Sequence, residues 1–127
     1  MAFDYTVTTK KSFAEAVAEV ERETVRVGFK VLYVHDIASA LKEKGFELEP
    51  FKIIEVCSAQ SANRVLKADI KMGLCLPCKI NVYQKGGQTF ISGMRPILLS
   101  QLFPQADLGS FPAEVDGIVR KIIDRSK

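Results

Sequence analysis

The chain has 127 residues, of which 47% are hydrophobic and 26% charged, a balance that excludes a disordered or membrane-spanning chain. Its net charge of +3 comes from 18 basic and 15 acidic residues spread along the sequence, and no basic stripe interleaved with aromatic residues marks a nucleic-acid surface. The N-terminus lacks a signal-peptide pattern, and no apolar run approaches the roughly 20 residues of a membrane span. We therefore expect one cytoplasmic domain, residues 1–127, that binds neither nucleic acid nor membrane.

Helix caps and apolar periodicity predict five elements in the first half of the chain. Ser12 followed by Glu15 is a capping box, and Gly28 is a typical helix stop, so a helix lies between them. Asp36 can cap a second, shorter helix. The elements in chain order are a strand at residues 3–8, a helix at 13–27, a strand at 29–35, a short helix at 37–44 and a strand at 51–57.

The second half of the chain predicts a third helix, a hairpin and a last helix. Ser58 can cap the third helix, and the turn at residues 85–87 lies between two strand patterns, where glycines tolerate positive φ. Pro96 begins an irregular or short helical segment, and Ser110 with Pro112 begins the last helix. The order β-α-β-α-β-α-β-β-α predicts an α+β fold, with a mixed, mostly antiparallel sheet and helices packed on one face.

The stretch GLCLPCKINVY, residues 73–83, places Cys75 and Cys78 in a Cys-x-x-Cys pair directly before a strand. Such a pair can be a redox dithiol, half of a zinc site, or two small apolar residues. A redox thiolate is usually stabilised by a helix N-terminus, whereas here a strand pattern follows the motif. The residues alone leave the three interpretations open.

The other possible ligands and thiols are Cys57, which ends the third strand, and His35, the single histidine. A zinc site would need both of them to converge with the Cys-x-x-Cys pair. Strand alternation puts Cys78 on the face of Ile80 and opposite Tyr83, which favours a buried thiol. We prefer structural thiols, or thiols that line a pocket without chemistry of their own.

Residues 51–96 resemble the family called domain of unknown function 302. The family has a progression of cysteine, serine or asparagine, alanine and leucine, followed by Leu-Pro-Cys and Val-Tyr. The matching residues in this chain are Cys57, Ser58, Ala62, Leu66, Leu76, Pro77, Cys78, Val82 and Tyr83. Residues 28–45 are also similar, so the resemblance covers nearly the whole chain.

The resemblance implies a compact α+β domain with a curved antiparallel sheet, similar to the TATA-binding protein, that is often a homodimer. It implies no activity, although family members occur near sulfur-handling and redox proteins. The family usually has leucine at the position of Cys75 and asparagine at that of Ser58. Cys75 is therefore interpreted as a local addition, and Cys57 and Cys78 as the shared pair.

These observations favour a dimeric ligand-binding or accessory module over an enzyme, with no cofactor and with a pocket near Cys57, Cys78, Ser58 and His35. One alternative is a redox or sulfur-transfer protein that uses Cys78 with Cys57 or Cys75. Another is a zinc-binding domain that uses the three cysteines and His35. The expected partners are a second copy and an unknown small molecule or a redox or sulfur-handling protein. The expected dimer surface comprises Leu98, Leu99, Leu102 and Phe103.

Overall fold

The computed structural model describes residues 2–127, so Met1 lies outside the description. The strands are β1 (Asp4–Thr9), β2 (Lys30–Asp36), β3 (Phe51–Cys57), β4 (Cys78–Lys85) and β5 (Gln88–Met94). The helices are α1 (Phe13–Arg26), α2 (Ile37–Glu43), α3 (Ala59–Ala68), α4 (Leu99–Leu102) and α5 (Phe111–Ser126). Two 3-10 helices cover Ile70–Cys75 and Pro96–Leu98. The predicted order of elements is confirmed.

Three of the predicted helix caps are made by side-chain hydrogen bonds. The hydroxyl of Ser12 accepts the backbone N–H of Glu15 at 3.1 Å, and the Glu15 carboxylate accepts the N–H of Ser12, which closes the capping box. The Asp36 carboxylate and the Ser58 hydroxyl each accept a backbone N–H three residues further on, at 3.0 Å. Ser110 occupies the cap position of α5, but its side chain makes no cap bond.

The five strands form one sheet in the order β1-β5-β4-β3-β2, and every neighbouring pair is antiparallel. The sheet that was expected to be mixed and mostly antiparallel is therefore antiparallel throughout. The physical reason lies in the connection through α3. β3 leaves the sheet at Cys57 and β4 enters it opposite Val56, at the same end, so the helix does not carry the chain across the sheet.

The predicted hairpin joins β4 to β5 through a turn of two glycines. Gly86 and Gly87 have φ values of 61° and 78°, as a two-residue turn of type I′ requires. The Glu49 carboxylate, in the loop before β3, accepts the N–H of Gly86 at 2.9 Å and that of Gly87 at 3.3 Å. The hairpin tip is thereby fixed to the loop between α2 and β3.

A bulge in β2 decides which of its side chains face the helices. Val31 pairs with Val56, whereas Tyr33 pairs with Glu55, so Leu32 is the extra residue. Without it, Val31 and Tyr33 would point to the same side of the sheet. With it, Val31 packs against the core and Tyr33 turns to the opposite face.

Helices α1 and α5 pack on one face of the sheet and enclose the main core. A second cluster lies where α3, the first 3-10 helix and α4 meet, and Phe111 packs against both clusters. Among residues 2–127, no helix combines the length and the apolar character needed to cross a bilayer. The most deeply buried residues of the main core are Ala16, Val20, Ile54, Val56, Ile80, Val82, Ile91, Ile122 and Ile123.

The second cluster also corrects the expected dimer surface at residues 98–103. Leu99 is only 8% exposed and belongs to this cluster, against which Phe103 is packed. Leu102 is 60% exposed. The short helix α4 therefore turns half of the expected patch inward, and we do not retain it as a dimer surface.

Candidate functional site: the bare face of the sheet

The face of the sheet that α1 and α5 leave uncovered is called the bare face here. Because register partners in an antiparallel sheet share a face, its side chains form rows that cross the strands. The first row contains Phe51, Tyr83, Phe90 and Thr8; the second contains His35, Ile53, Asn81, Ser92 and Thr6; the third contains Tyr33, Glu55 and Lys79.

Three aromatic side chains stack along the first row. The rings of Phe51 and Tyr83 lie 5.4 Å apart between centroids, and those of Tyr83 and Phe90 lie 5.3 Å apart. Their interplanar angles of 14° and 17° describe nearly parallel rings. Such pairs contribute about 0.5–1.5 kcal/mol each beyond the burial of their area. The three rings form a half-buried apolar strip over β3, β4 and β5.

Asn81 lies at the centre of the bare face, on the central strand and in the middle row. Its Oδ1 is buried and has no hydrogen-bond partner among the described residues. Its neighbour Ser92 is already paired, since its hydroxyl lies 2.6 Å from that of Thr6. Buried amide oxygens almost always have a partner. The face therefore carries an unsatisfied amide at its middle.

The third row, together with His35 of the second, gives one end of the bare face its polar groups. Nε2 of His35 lies 3.1 Å from a carboxylate oxygen of Glu55, and the rings of His35 and Tyr33 are 4.6 Å apart. Glu55 is opposite Lys79 on β4. This end therefore has an acid and two nitrogen bases side by side, whereas the first row is apolar.

The three cysteines are free thiols in three different surroundings. Cys78 faces the helices and packs against the main core, Cys75 packs against the second cluster, and Cys57 lies on the side of Glu55. Burial, with smaller contributions from Cys57 and Cys75, raises the pKa of Cys78 to about 11. Burial raises the pKa of Cys57 as well.

These pKa directions are the opposite of what a working thiolate needs. Cys57 and Cys78 also fail as a disulfide pair, because they occupy successive positions of paired strands and alternate to opposite faces. The pKa directions therefore disfavour thiolate chemistry at Cys78 and Cys57, and the strand register disfavours a Cys57–Cys78 disulfide. The alternative in which Cys78 works with Cys75 stays a prediction.

The zinc site considered from the sequence is not formed either. Across residues 2–127, no three side chains of His, Cys, Asp or Glu come together in a way that could hold a metal ion. His35 pairs with Ile53, which precedes Cys57 by four residues, or roughly 13 Å of strand. Cys78 faces the other side of the sheet.

Three grooves are found elsewhere on the described surface, with volumes of about 590, 400 and 860 Å³. The first lies beside α2, the second on α5, and the third between α3 and α5. No cysteine lines any of them, nor does His35, so the pocket expected near Cys57 and Cys78 is not one of these grooves. Ser58 lines the third groove, where its hydroxyl is occupied as the cap of α3.

The aromatic strip and the unpaired amide were missed as a site in the sequence analysis. Strand alternation had placed Asn81 and Tyr83 on the face opposite Ile80, and the structure confirms this. The missing information was the lateral register, which brings Phe51 and Phe90 to either side of Tyr83. A period-two pattern identifies a face but not the neighbours across it.

A family model and a solved structure each match nearly the whole chain or all of it. The model of the family DUF302, a domain of unknown function, matches residues 5–126. The crystal structure of an uncharacterized conserved DUF302 protein from Bacillus stearothermophilus is 32% identical, with a TM-score of 0.93 and 100% of both chains covered. No curated protein matches. The predicted α+β fold is confirmed.

Proposed function

The chain belongs to the DUF302 family, as its sequence predicted, and from the geometry of its sheet we propose that it is a homodimeric binding module rather than an enzyme. The observation that carries this proposal is the bare face, a sheet surface that α1 and α5 leave open and that carries an aromatic strip beside more polar rows. Antiparallel sheets commonly leave one face to solvent, but that face is then polar. Here it carries three stacked aromatic rings and Ile53.

The size of the bare face can be compared with that of a standard interface. Five strands spaced about 4.8 Å apart and about six residues long give a footprint of roughly 24 by 20 Å, or about 480 Å². Large side chains roughen this surface, so its accessible area exceeds the footprint. A standard interface takes about 800 Å² from each partner, so the flat footprint supplies roughly 60% of that area and the relief of the side chains adds to it.

The chemistry of the face favours a second copy as its partner. In a two-fold symmetric dimer, residues close to the axis meet their own copies. An amide carries both a donor and an acceptor, so Asn81 could pair with the Asn81 of a second copy. The third row is self-complementary in the same sense, because Glu55 and Lys79 supply both signs of charge.

Pairing of sheet edges supports a dimer less well than pairing of faces. The edge strand β2 carries the bulge at Leu32, which interrupts the regular row of backbone groups that another strand would need. The other edge strand, β1, is six residues long. These features leave the bare face as the surface best suited to a second copy.

Sedimentation equilibrium at micromolar concentrations tests the proposal. We expect the wild type to be a dimer, and Tyr83→Lys to be a monomer because it places two ammonium groups in the aromatic strip. Asn81→Asp should also dissociate the dimer, because the new carboxylates of the two copies would face each other. Like charges opposed in this way cost several kcal/mol. The matched control is Val25→Lys, which adds a lysine at a 64% exposed position of α1 and should leave the dimer intact.

Circular dichroism of each variant would verify that it is folded. A monomeric wild type, or dimers that persist in both Tyr83→Lys and Asn81→Asp, would contradict the proposal. The cytoplasmic compartment and the small-molecule or sulfur-handling partner expected from the sequence stay predictions.

A further inference from the structure

The groove between α3 and α5 has the features of a ligand site that is separate from the bare face. Its volume is about 860 Å³, within the range of about 300–1,000 Å³ that small-molecule sites occupy. Its apolar floor includes Phe111 and Ile118 of α5, together with Phe29 and Val115, which are each only 7% exposed. The rest of the lining is largely polar, with Ser58, Gln60, Ser61 and Asn63 on the α3 side. The groove lies on the helix side of the sheet.

The α3 wall of this groove presents an arginine that is already held in position. Nη2 of Arg64 donates to the carbonyl oxygen of Leu108 at 3.3 Å, and the guanidinium lies 5.5 Å from the centre of the Phe111 ring. A guanidinium has five N–H donors, so most of them remain available to a ligand. Because the side chain is already ordered, a ligand would lose less entropy in recruiting it.

The other charges of the groove give it a positive balance. Lys67 lies one helical turn beyond Arg64, and its side chain makes no hydrogen bond or ion pair with another described residue. Glu114 on the α5 wall forms no ion pair with either cation. Two cations line the groove against one carboxylate, and both cations belong to the same wall.

From the cationic wall and the apolar floor we infer that this groove binds a free amphipathic carboxylate of the fatty-acid class. The carboxylate accepts hydrogen bonds from the Arg64 guanidinium, with Lys67 adding a second positive charge. The hydrocarbon chain lies along Phe111 and Ile118, two half-buried apolar residues of the lining. The inference goes beyond the proposed dimer and does not depend on it, since the groove and the bare face share no residue.

Calorimetric titration with decanoate, a ten-carbon carboxylate used well below its micelle concentration, tests the inference. We expect saturable binding of one decanoate per chain, weakened roughly tenfold by Arg64→Gln and strengthened by Glu114→Gln. The matched control Lys44→Gln removes a cation at the exposed end of α2 and should bind decanoate as the wild type does. Octanoate, with two methylenes fewer, should bind roughly tenfold more weakly.

Chemical-shift changes in an NMR titration should be confined to α3, α5 and the turn before β2. The monomeric Tyr83→Lys variant should bind decanoate as tightly as the wild type, which keeps a failure of the dimer distinct from a failure of this site. Absence of saturable binding at millimolar decanoate would overturn the inference. So would equal affinity of Arg64→Gln, or binding of anionic phosphatidylglycerol vesicles without binding of monomeric decanoate.

Discussion

The thiol of Cys78 should be among the slowest in the protein to react, and the expected rate follows from its surroundings. Burial against the main core raises its pKa to about 11. At pH 7 such a thiol is ionised in about one molecule in 10,000, compared with about 3% for an ordinary cysteine of pKa about 8.5. Since the thiolate is the reactive form, alkylation of Cys78 should be about 300-fold slower than that of an ordinary thiol.

The assay is alkylation of the reduced, native protein with iodoacetamide between pH 6 and pH 10, resolved by residue with mass spectrometry. The rate at Cys78 should rise about tenfold per pH unit and show no plateau below pH 10. The same protein unfolded in urea is the control, and there Cys78 should react with a midpoint near 8.5. A native midpoint at or below that value would refute the reasoning and favour the redox interpretation over the binding module.

Three further predictions concern stability and are measured by urea unfolding. The folded state raises the pKa of Cys78 and so favours its neutral form. The resulting stabilisation is complete below the unfolded pKa of about 8.5 and falls by about 3 kcal/mol as the pH rises through 11, a loss that Cys78→Ala should lack. Gly93→Ala should lower the free energy of unfolding by about 1–3 kcal/mol, because the new methyl group would lie 3.0 Å from the side chain of Ile123 on α5. Gly117→Ala has no atom within 4 Å of its new methyl group and should stabilise α5 by about 0.5–1 kcal/mol. Ser12→Ala should cost about 1 kcal/mol through the lost capping box, and Ser110→Ala should cost almost nothing, since its side chain makes no cap bond. Equal changes in stability for Gly93→Ala and Gly117→Ala, or for Ser12→Ala and Ser110→Ala, would contradict the structural reason given for that pair.

Local features were predictable because their causes are local. Ser12, Asp36 and Ser58 cap the helices that follow them, since a cap needs only a short polar side chain three residues before a backbone N–H. Gly86 and Gly87 form the hairpin turn for the same kind of reason, because only glycine adopts positive φ without a steric penalty.

Features that depend on distant neighbours could not be predicted. The bulge at Leu32 reflects the register between β2 and β3, and an apolar run without strict alternation does not reveal it. The pattern of residues 98–103 also does not show that Leu99 is buried, because its partners lie on α3 and the first 3-10 helix. The orientation of the cysteines was also not predictable, since closeness along paired strands does not imply that Cys57 and Cys78 share a face.

The position of β1 at the edge beside β5 has a consequence for synthesis on the ribosome. β1 pairs with residues 89–94, and Tyr5 donates a hydrogen bond to Asp124, 119 residues away. β1 is therefore synthesised before its partners and cannot pair in the sheet until residues 89–94 have emerged. Contacts between such distant segments slow folding. In a nascent chain β1 would remain exposed as an unpaired strand, and a translational pause before residue 88 would lengthen that exposure and favour capture by chaperones.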